Sequence, residues 1–152
     1  MRVARIGAGT VSRHHLIAWS KPRPDVEVIA IADPVAANAA SRAAEFGVPN
    51  TYATAAAMLD AEKPDAIDIA APRAFHAEPV RLGVARGVAV LCQKPLAPTL
   101  AEAEPLVADT AGACLMVHEN WRFRRYDRDA ARWIAGPVED AYRLSGWPRS
   151  GA

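Results

Sequence analysis

The chain has 152 residues, 51% of them hydrophobic and 23% charged, enough to bury one substantial core and within the size of a single domain. A formal net charge of +1 supplies no global field that draws a protein to nucleic acid or to an anionic membrane, so a charged partner must be met locally. No apolar run approaches the roughly 20 residues of a membrane-spanning helix and no basic-then-apolar leader opens the sequence, so a cytoplasmic protein with no membrane partner is expected.

Val3 to Ile6 reads as a short strand that runs into Gly7-Ala8-Gly9 and then into a helix beginning near Thr10. This arrangement turns the backbone N–H groups of Gly7, Gly9, Thr10, Val11 and Ser12 toward a site for a pyrophosphate, although a glycine pair also punctuates ordinary turns. Val26 to Ala32 is an apolar, β-branched run of the kind that forms a buried parallel strand, and it stops at Asp33-Pro34. Asp33 follows Gly7 by 26 positions, close to the roughly 20-residue offset at which a carboxylate meets the adenosine ribose. The same residue also suits a helix N-cap or turn, and the two roles are compatible.

An alanine-rich helix from Val35 to Phe46 is closed by Gly47, Asn50 to Tyr52 forms a short strand, and Thr54 caps a helix that Lys63-Pro64 ends near Glu62. Ala66 to Ala70 is the fourth strand, ended by Pro72, and a helix from about His76 to Arg86 stops at Gly87. Val88 to Cys92 is the fifth strand. Thr99 and Glu102 form a capping box, each side chain taking one N–H at the start of a helix that ends at Gly112. Pro105 falls inside it and predicts a kink or a late start. Cys114 to Val117 is the sixth strand, and Phe123, Tyr126, Ala130, Trp133 and Ile134 share one face of a last helix before Gly136-Pro137.

Strands and helices that alternate with short turns predict an α/β fold, a doubly wound parallel sheet of the Rossmann type, with ligands outside the carboxyl ends of the strands. Lys94 follows the fifth strand directly. It would stand an ammonium where a substrate hydroxyl could exchange a proton as hydride moves, or else be a solvated loop lysine. Gln93 precedes it. His76 either borders the nicotinamide ribose or substrate, or caps a helix at the surface. His15 lies near the phosphate turn or is a polar helix residue, and His14 faces water. Asn120 and Arg122 follow the sixth strand, where Arg122 could pair with a carboxylate or phosphate or be a surface arginine. Cys92 and Cys114 lie in apolar runs and read as buried, reduced thiols, and neither they nor the four histidines show a metal-ligand spacing.

The set Gly7-x-Gly9-x-x-Ser12-x-x-His15, Asp33-Pro34, Pro72 through His76, Cys92-Gln93-Lys94-Pro95-Leu96 and Val117 through Phe123 resembles the Gfo/Idh/MocA oxidoreductases. The resemblance runs from Met1 to about Leu144 and corresponds to that family's N-terminal cofactor domain. It implies NAD or NADP across the strand ends, contacts from Pro72, His76, Gln93, Asn120 and Arg122 among the residues above, and Lys94 beside the hydride-transfer site. Three departures stand out: Ser12 for the third glycine, pushing the first helix outward; Gln93 for the glutamate of a Glu-Lys-Pro motif; and Arg5 in a strand expected to be apolar.

The expected domain division is a dinucleotide-binding domain over residues 1–136 and, over 137–152, the opening of a substrate domain that family members continue into. Two functions follow. One is the NAD(P)-binding half of an oxidoreductase acting on a sugar-like or polyol substrate, inactive until a second domain completes it. The other is a catalytically idle nucleotide-binding module or truncated product, with exposed apolar surface favouring self-association. Asp33 favours NAD, because its charge repels a 2′-phosphate. Binding of nucleic acid through Arg124, Arg125, Arg128 and Arg132 is not expected, since Asp127 and Asp129 interleave with them.

Overall fold

A computed structural model of the chain describes residues 1–21, 25–119 and 124–135. The elements are β1 (Arg2–Ile6), α1 (Thr10–Trp19), β2 (Glu27–Ala32), α2 (Ala36–Phe46), β3 (Asn50–Tyr52), α3 (Ala55–Glu62), β4 (Ala66–Ile69), α4 (Ala77–Ala85), β5 (Ala89–Gln93), α5 (Leu100–Asp109), β6 (Leu115–His118) and α6 (Arg125–Ala135). A 3₁₀ turn over Arg73–Phe75 precedes α4. The six strands form one parallel sheet in the order β3-β2-β1-β4-β5-β6. The order reverses between β1 and β4, which makes their carboxyl ends the switch point at which such sheets bind ligands.

Side chains alternate across the sheet, so the two faces have separate cores. On one face Ala4, Ile6, Ile67, Ile69 and Val90 pack with Met58 and Leu59 of α3, Val80 of α4 and Leu106 of α5. Gly83 lets α4 lie close: a methyl group there would stand 2.6 Å from the Ile67 side chain and 2.9 Å from that of Val90. On the other face Ile31 packs with Leu16 of α1 and with Ala39 and Ala43 of α2. Helices on both faces satisfy the burial demand of an all-parallel sheet.

Several local expectations are revised. α5 begins at Leu100, directly after its Thr99 cap, and carries Pro105 in its interior, so the late start does not occur. Thr99 Oγ1 accepts from the Glu102 N–H at 3.3 Å and donates to Glu102 Oε1 at 3.0 Å, so the carboxylate accepts a hydrogen bond from the hydroxyl within the box. Cys92 is buried, but Cys114 is exposed, because it lies just ahead of the edge strand β6. His14 is exposed, as expected.

The chain divides into two compact units, Met1–His118 and Glu119–Ala152, and α6 belongs to the second. Within α6, Asp129 lies 3.7 Å from Arg125 and 3.3 Å from Arg132. These ion pairs agree with reading the arginine cluster as a solvated face. The opening of a substrate domain expected over 137–152 lies outside the described residues. No helix among the described residues is long and apolar enough to cross a membrane.

Candidate dinucleotide site

Gly7 ends β1 with φ +92°, a conformation open to glycine and strained for other residues. A Cβ there would stand 2.6 Å from the Ala70 carbonyl oxygen and 2.8 Å from its carbon. Gly7 is therefore required twice over, by its dihedral and by the close approach of β4. Its N–H donates to Ala32 O at 2.8 Å, tying the turn to β2.

Gly9 is the opposite case. It is exposed, and a Cβ on it would meet nothing within 4 Å. It is the N-cap residue of α1, makes no side-chain cap, and no acidic residue lies in the first turn. The unpaired N–H groups at that helix end thus open on free space, an arrangement suited to an anion. Thr10 and Val11 are exposed beside it, whereas Ser12 is fully buried and donates from Oγ to Gly9 O at 2.7 Å. The hydroxyl that replaces a third glycine is absorbed inside the turn itself.

Asp33 bridges this loop to the next strand end. Its Oδ2 accepts from the Ala8 N–H at 2.8 Å and its Oδ1 from the Val35 N–H at 2.9 Å. The turn role is thus fulfilled, and each oxygen keeps a lone pair for a further donor such as a ribose hydroxyl. A cleft of about 500 Å³ opens over these ends, walled by Gly7, Gly9, Asp33, Thr54, Pro72 and Phe75. Phe75 is 66% exposed, a large apolar ring left on the lip of the cleft. It was not singled out from the sequence; the signal was an aromatic residue in the strand-end turn between Pro72 and His76.

Beyond the cleft, Lys94 is exposed directly after β5, and its N–H donates to Gln93 Oε1 at 2.8 Å. The Lys94–Pro95 peptide bond is cis. His76 is 1% exposed and is not a surface cap. Its Nδ1 lies 2.9 Å from Pro95 O and its Nε2 2.8 Å from Ala71 O, so the ring joins the turn after Lys94 to the end of β4. A neutral ring can donate to one of these carbonyls and a doubly protonated ring to both.

His15 is also buried, turned down onto the sheet. Its Nδ1 is 3.1 and 3.0 Å from the two oxygens of Asp68, and its Nε2 is 3.3 Å from Gln93 Nε2. Asp68 further accepts from Trp19 Nε1 at 2.7 Å and lies opposite Arg5 in the β1–β4 register. Arg5 Nη1 stands 2.5 Å from Asp68 Oδ2, yet none of the guanidinium N–H groups is aligned on an acceptor among the described residues. Charge, more than directed hydrogen bonding, holds that pair. Burial brings the Arg5 guanidinium below its ordinary value against the opposing pull of Asp68. Burial also pushes the Asp68 carboxyl upward, but the His15 hydrogen bond, the Arg5 charge and the Trp19 N–H together hold it below the usual carboxylate range. Burial, with the Asp68 charge nearby, pushes the Cys92 thiol up to about 12, so it is no nucleophile.

The structure thus brings Gly7, Gly9, Asp33 and Pro72 to one cleft, sets Lys94 at the end of β5, and places Ser12, His15 and His76 beneath the surface as supports. Asn120 and Arg122 lie outside the described residues. No group of three or more His, Cys, Asp or Glu side chains among the described residues could hold a metal ion.

Comparison with known proteins agrees with this geometry. The chain is 43% identical to the D-apiose dehydrogenase of Paraburkholderia graminis over 123 residues, covering 80% of this chain and 32% of that protein. It is 34% identical to the D-glucoside 3-dehydrogenase of Escherichia coli over 111 residues, 73% of this chain and 31% of that one. In three dimensions it is similar to an oxidoreductase from Agrobacterium radiobacter in complex with NAD+, L-tartaric acid and magnesium. The TM-score is 0.80 at 28% identity, over 89% of this chain and 40% of that one. The chain therefore spans about a third of the length of these curated relatives. Residues 1–120 match the family profile described as an oxidoreductase family with an NAD-binding Rossmann fold, and the chain belongs to that Gfo/Idh/MocA family.

Proposed function

We propose that this domain takes NAD in preference to NADP and forms the cofactor half of a dehydrogenase for a sugar-like or polyol substrate, with Lys94 exchanging the substrate's proton. The observation that carries the reading is the contrast between Gly7, closed by Ala70, and Gly9, open in front of an uncapped helix end, with Asp33 one strand away. The pyrophosphate is held by the N–H groups at Gly9, Thr10 and Val11, and the adenosine ribose by Asp33. Pro72 and Phe75 wall the cleft in which the adenosine end lies. NAD, when bound, supplies or accepts the hydride.

The ammonium of Lys94, exposed at the end of β5, donates to or takes a proton from the reacting hydroxyl. Gln93 and His76 fix the main chain on either side of it. A second α/β domain, in the same chain or another, closes the substrate pocket and excludes water. The free thiols Cys92 and Cys114 suit a reducing compartment, the cytoplasm.

Calorimetric titration with NAD and NADP tests the reading. In Asp33→Ala, NAD affinity is expected to fall about tenfold, or 1.4 kcal/mol, from loss of a charged acceptor, with NADP affected less. Because both coenzymes suffer equally from any disturbance of the Ala8 and Val35 turns, the ratio isolates the ribose contact; an unchanged ratio removes the assignment. Binding of NAD with no turnover across a polyol panel, even with the completing domain supplied, would favour the idle-module reading.

A further inference from the structure

The hydrogen bonds around Gln93 admit only one arrangement of protons. The Lys94 N–H can only donate, so the Gln93 atom 2.8 Å from it is the carbonyl oxygen. The Gln93 amide nitrogen therefore faces His15 Nε2 at 3.3 Å, and it too can only donate. His15 Nε2 must then carry a lone pair, which leaves the ring proton on Nδ1. That proton points at Asp68, whose two oxygens at 3.1 and 3.0 Å only accept. Each step from the Lys94 N–H to Asp68 sets a donor against an acceptor, and Asp68 in turn pairs by charge with the buried Arg5.

We propose that Gln93 is a positioning residue: through an uncharged His15 of fixed tautomer it fastens the main chain at Lys94 to the buried Asp68–Arg5 pair. The groups that face His15 come from four elements besides its own helix. Asp68 on β4 is already balanced by Arg5 on β1, and Gln93 on β5 brings no charge. His118 on β6 meets the His15 ring edge-on, with centroids 4.9 Å apart. Trp19, on the same helix, occupies another Asp68 lone pair, and the nearby Cys92 holds its proton. The ammonium of Lys94 remains free to act because its seat is held by its backbone. The proposal rests on Lys94 as the proton-exchanging residue, whereas its test needs neither coenzyme nor substrate, so a failed NAD titration and a failed result here are separable.

The test is ¹⁵N NMR of the histidine-labelled full chain, with the His15 signals assigned by their loss in His15→Gln. At about pH 7.5 the hydrogen-bond series predicts the neutral Nδ1–H tautomer for His15. An Nε2–H tautomer or an imidazolium there overturns the proposal without any variant. Gln93→Glu replaces the donor to Nε2 by an acceptor, so His15 is expected to become an imidazolium at the same pH; an unchanged tautomer overturns it. In Gln93→Ala the Lys94 amide is expected to exchange with solvent at least about tenfold faster while the Ile69 amide is unchanged, the mark of local release. Equal Lys94 exchange in both proteins would show that Gln93 does not hold this turn.

Discussion

Gly7→Ala is expected to destabilise the domain by about 2–6 kcal/mol, the sum of a side chain forced into a sparsely populated backbone region and a steric overlap. The added methyl would lie 2.6 Å from a backbone oxygen, Ala70 O, and backbone in the middle of a sheet cannot step aside as a side-chain tip can. Against a total stability of about 5–15 kcal/mol this is a large fraction, readable as a fall in the midpoint of thermal or urea denaturation. Gly9→Ala, two residues on, separates folding from binding. It costs at most about 1 kcal/mol, the loss of a glycine N-cap, because its methyl meets nothing within 4 Å. That methyl stands where the pyrophosphate must approach, so NAD affinity is expected to drop by at least about tenfold, 1.4 kcal/mol or more, in calorimetry. Gly9→Ala that binds NAD like the parent would place the diphosphate elsewhere. Gly7→Ala as stable as the parent would mean that β4 does not close on the turn.

The contrast between those glycines also marks how far the sequence could be read. The G-x-G spacing, the apolar run into Asp33 and the regular alternation of strands and helices announce a nucleotide-binding sheet, because burial leaves its period in the chain. They do not say which strand neighbours which. Arg5 was visible as a charge in an apolar strand, and Asp68 as another, but their pairing depends on β1 lying beside β4 in a register that sets Arg5 opposite Asp68. His15 and His76 were placed near the site as contacts or surface residues. Their burial follows from partners distant in the chain, Asp68 and Gln93 for one and Ala71 and Pro95 for the other, and no local spacing reports these. Cys114 shows the converse error: an apolar neighbourhood predicts burial, but a position at the start of an edge strand leaves it open.

Removing one partner of the buried pair is expected to have the other large effect. Asp68→Leu leaves the Arg5 guanidinium fully buried without a counter-charge and takes the acceptor from His15 Nδ1 and Trp19 Nε1. A loss of about 3–5 kcal/mol is expected from the stranded charge alone. Arg5→Leu is milder, since Asp68 keeps the His15 and Trp19 donors. The double variant is expected to be more stable than Asp68→Leu, because no charge is then stranded; the non-additivity in a double-mutant cycle is the measure of the pair. The pH dependence gives an independent check on sign. The folded-state value of Asp68 lies below the unfolded one, so its contribution is fully present above the ordinary carboxylate value of about 3.9 and is lost as pH falls through the folded value. Once Asp68 is protonated, Arg5 in the parent is a buried cation with no partner, whereas Arg5→Leu strands nothing. The stability gap between the parent and Arg5→Leu, followed by urea denaturation from neutral pH into the acid range, is therefore expected to narrow as pH falls. Curves that stay parallel through that window would mean that Arg5 does not hold the Asp68 charge, and the anchor beneath Lys94 would have to be sought in the hydrogen bonds alone.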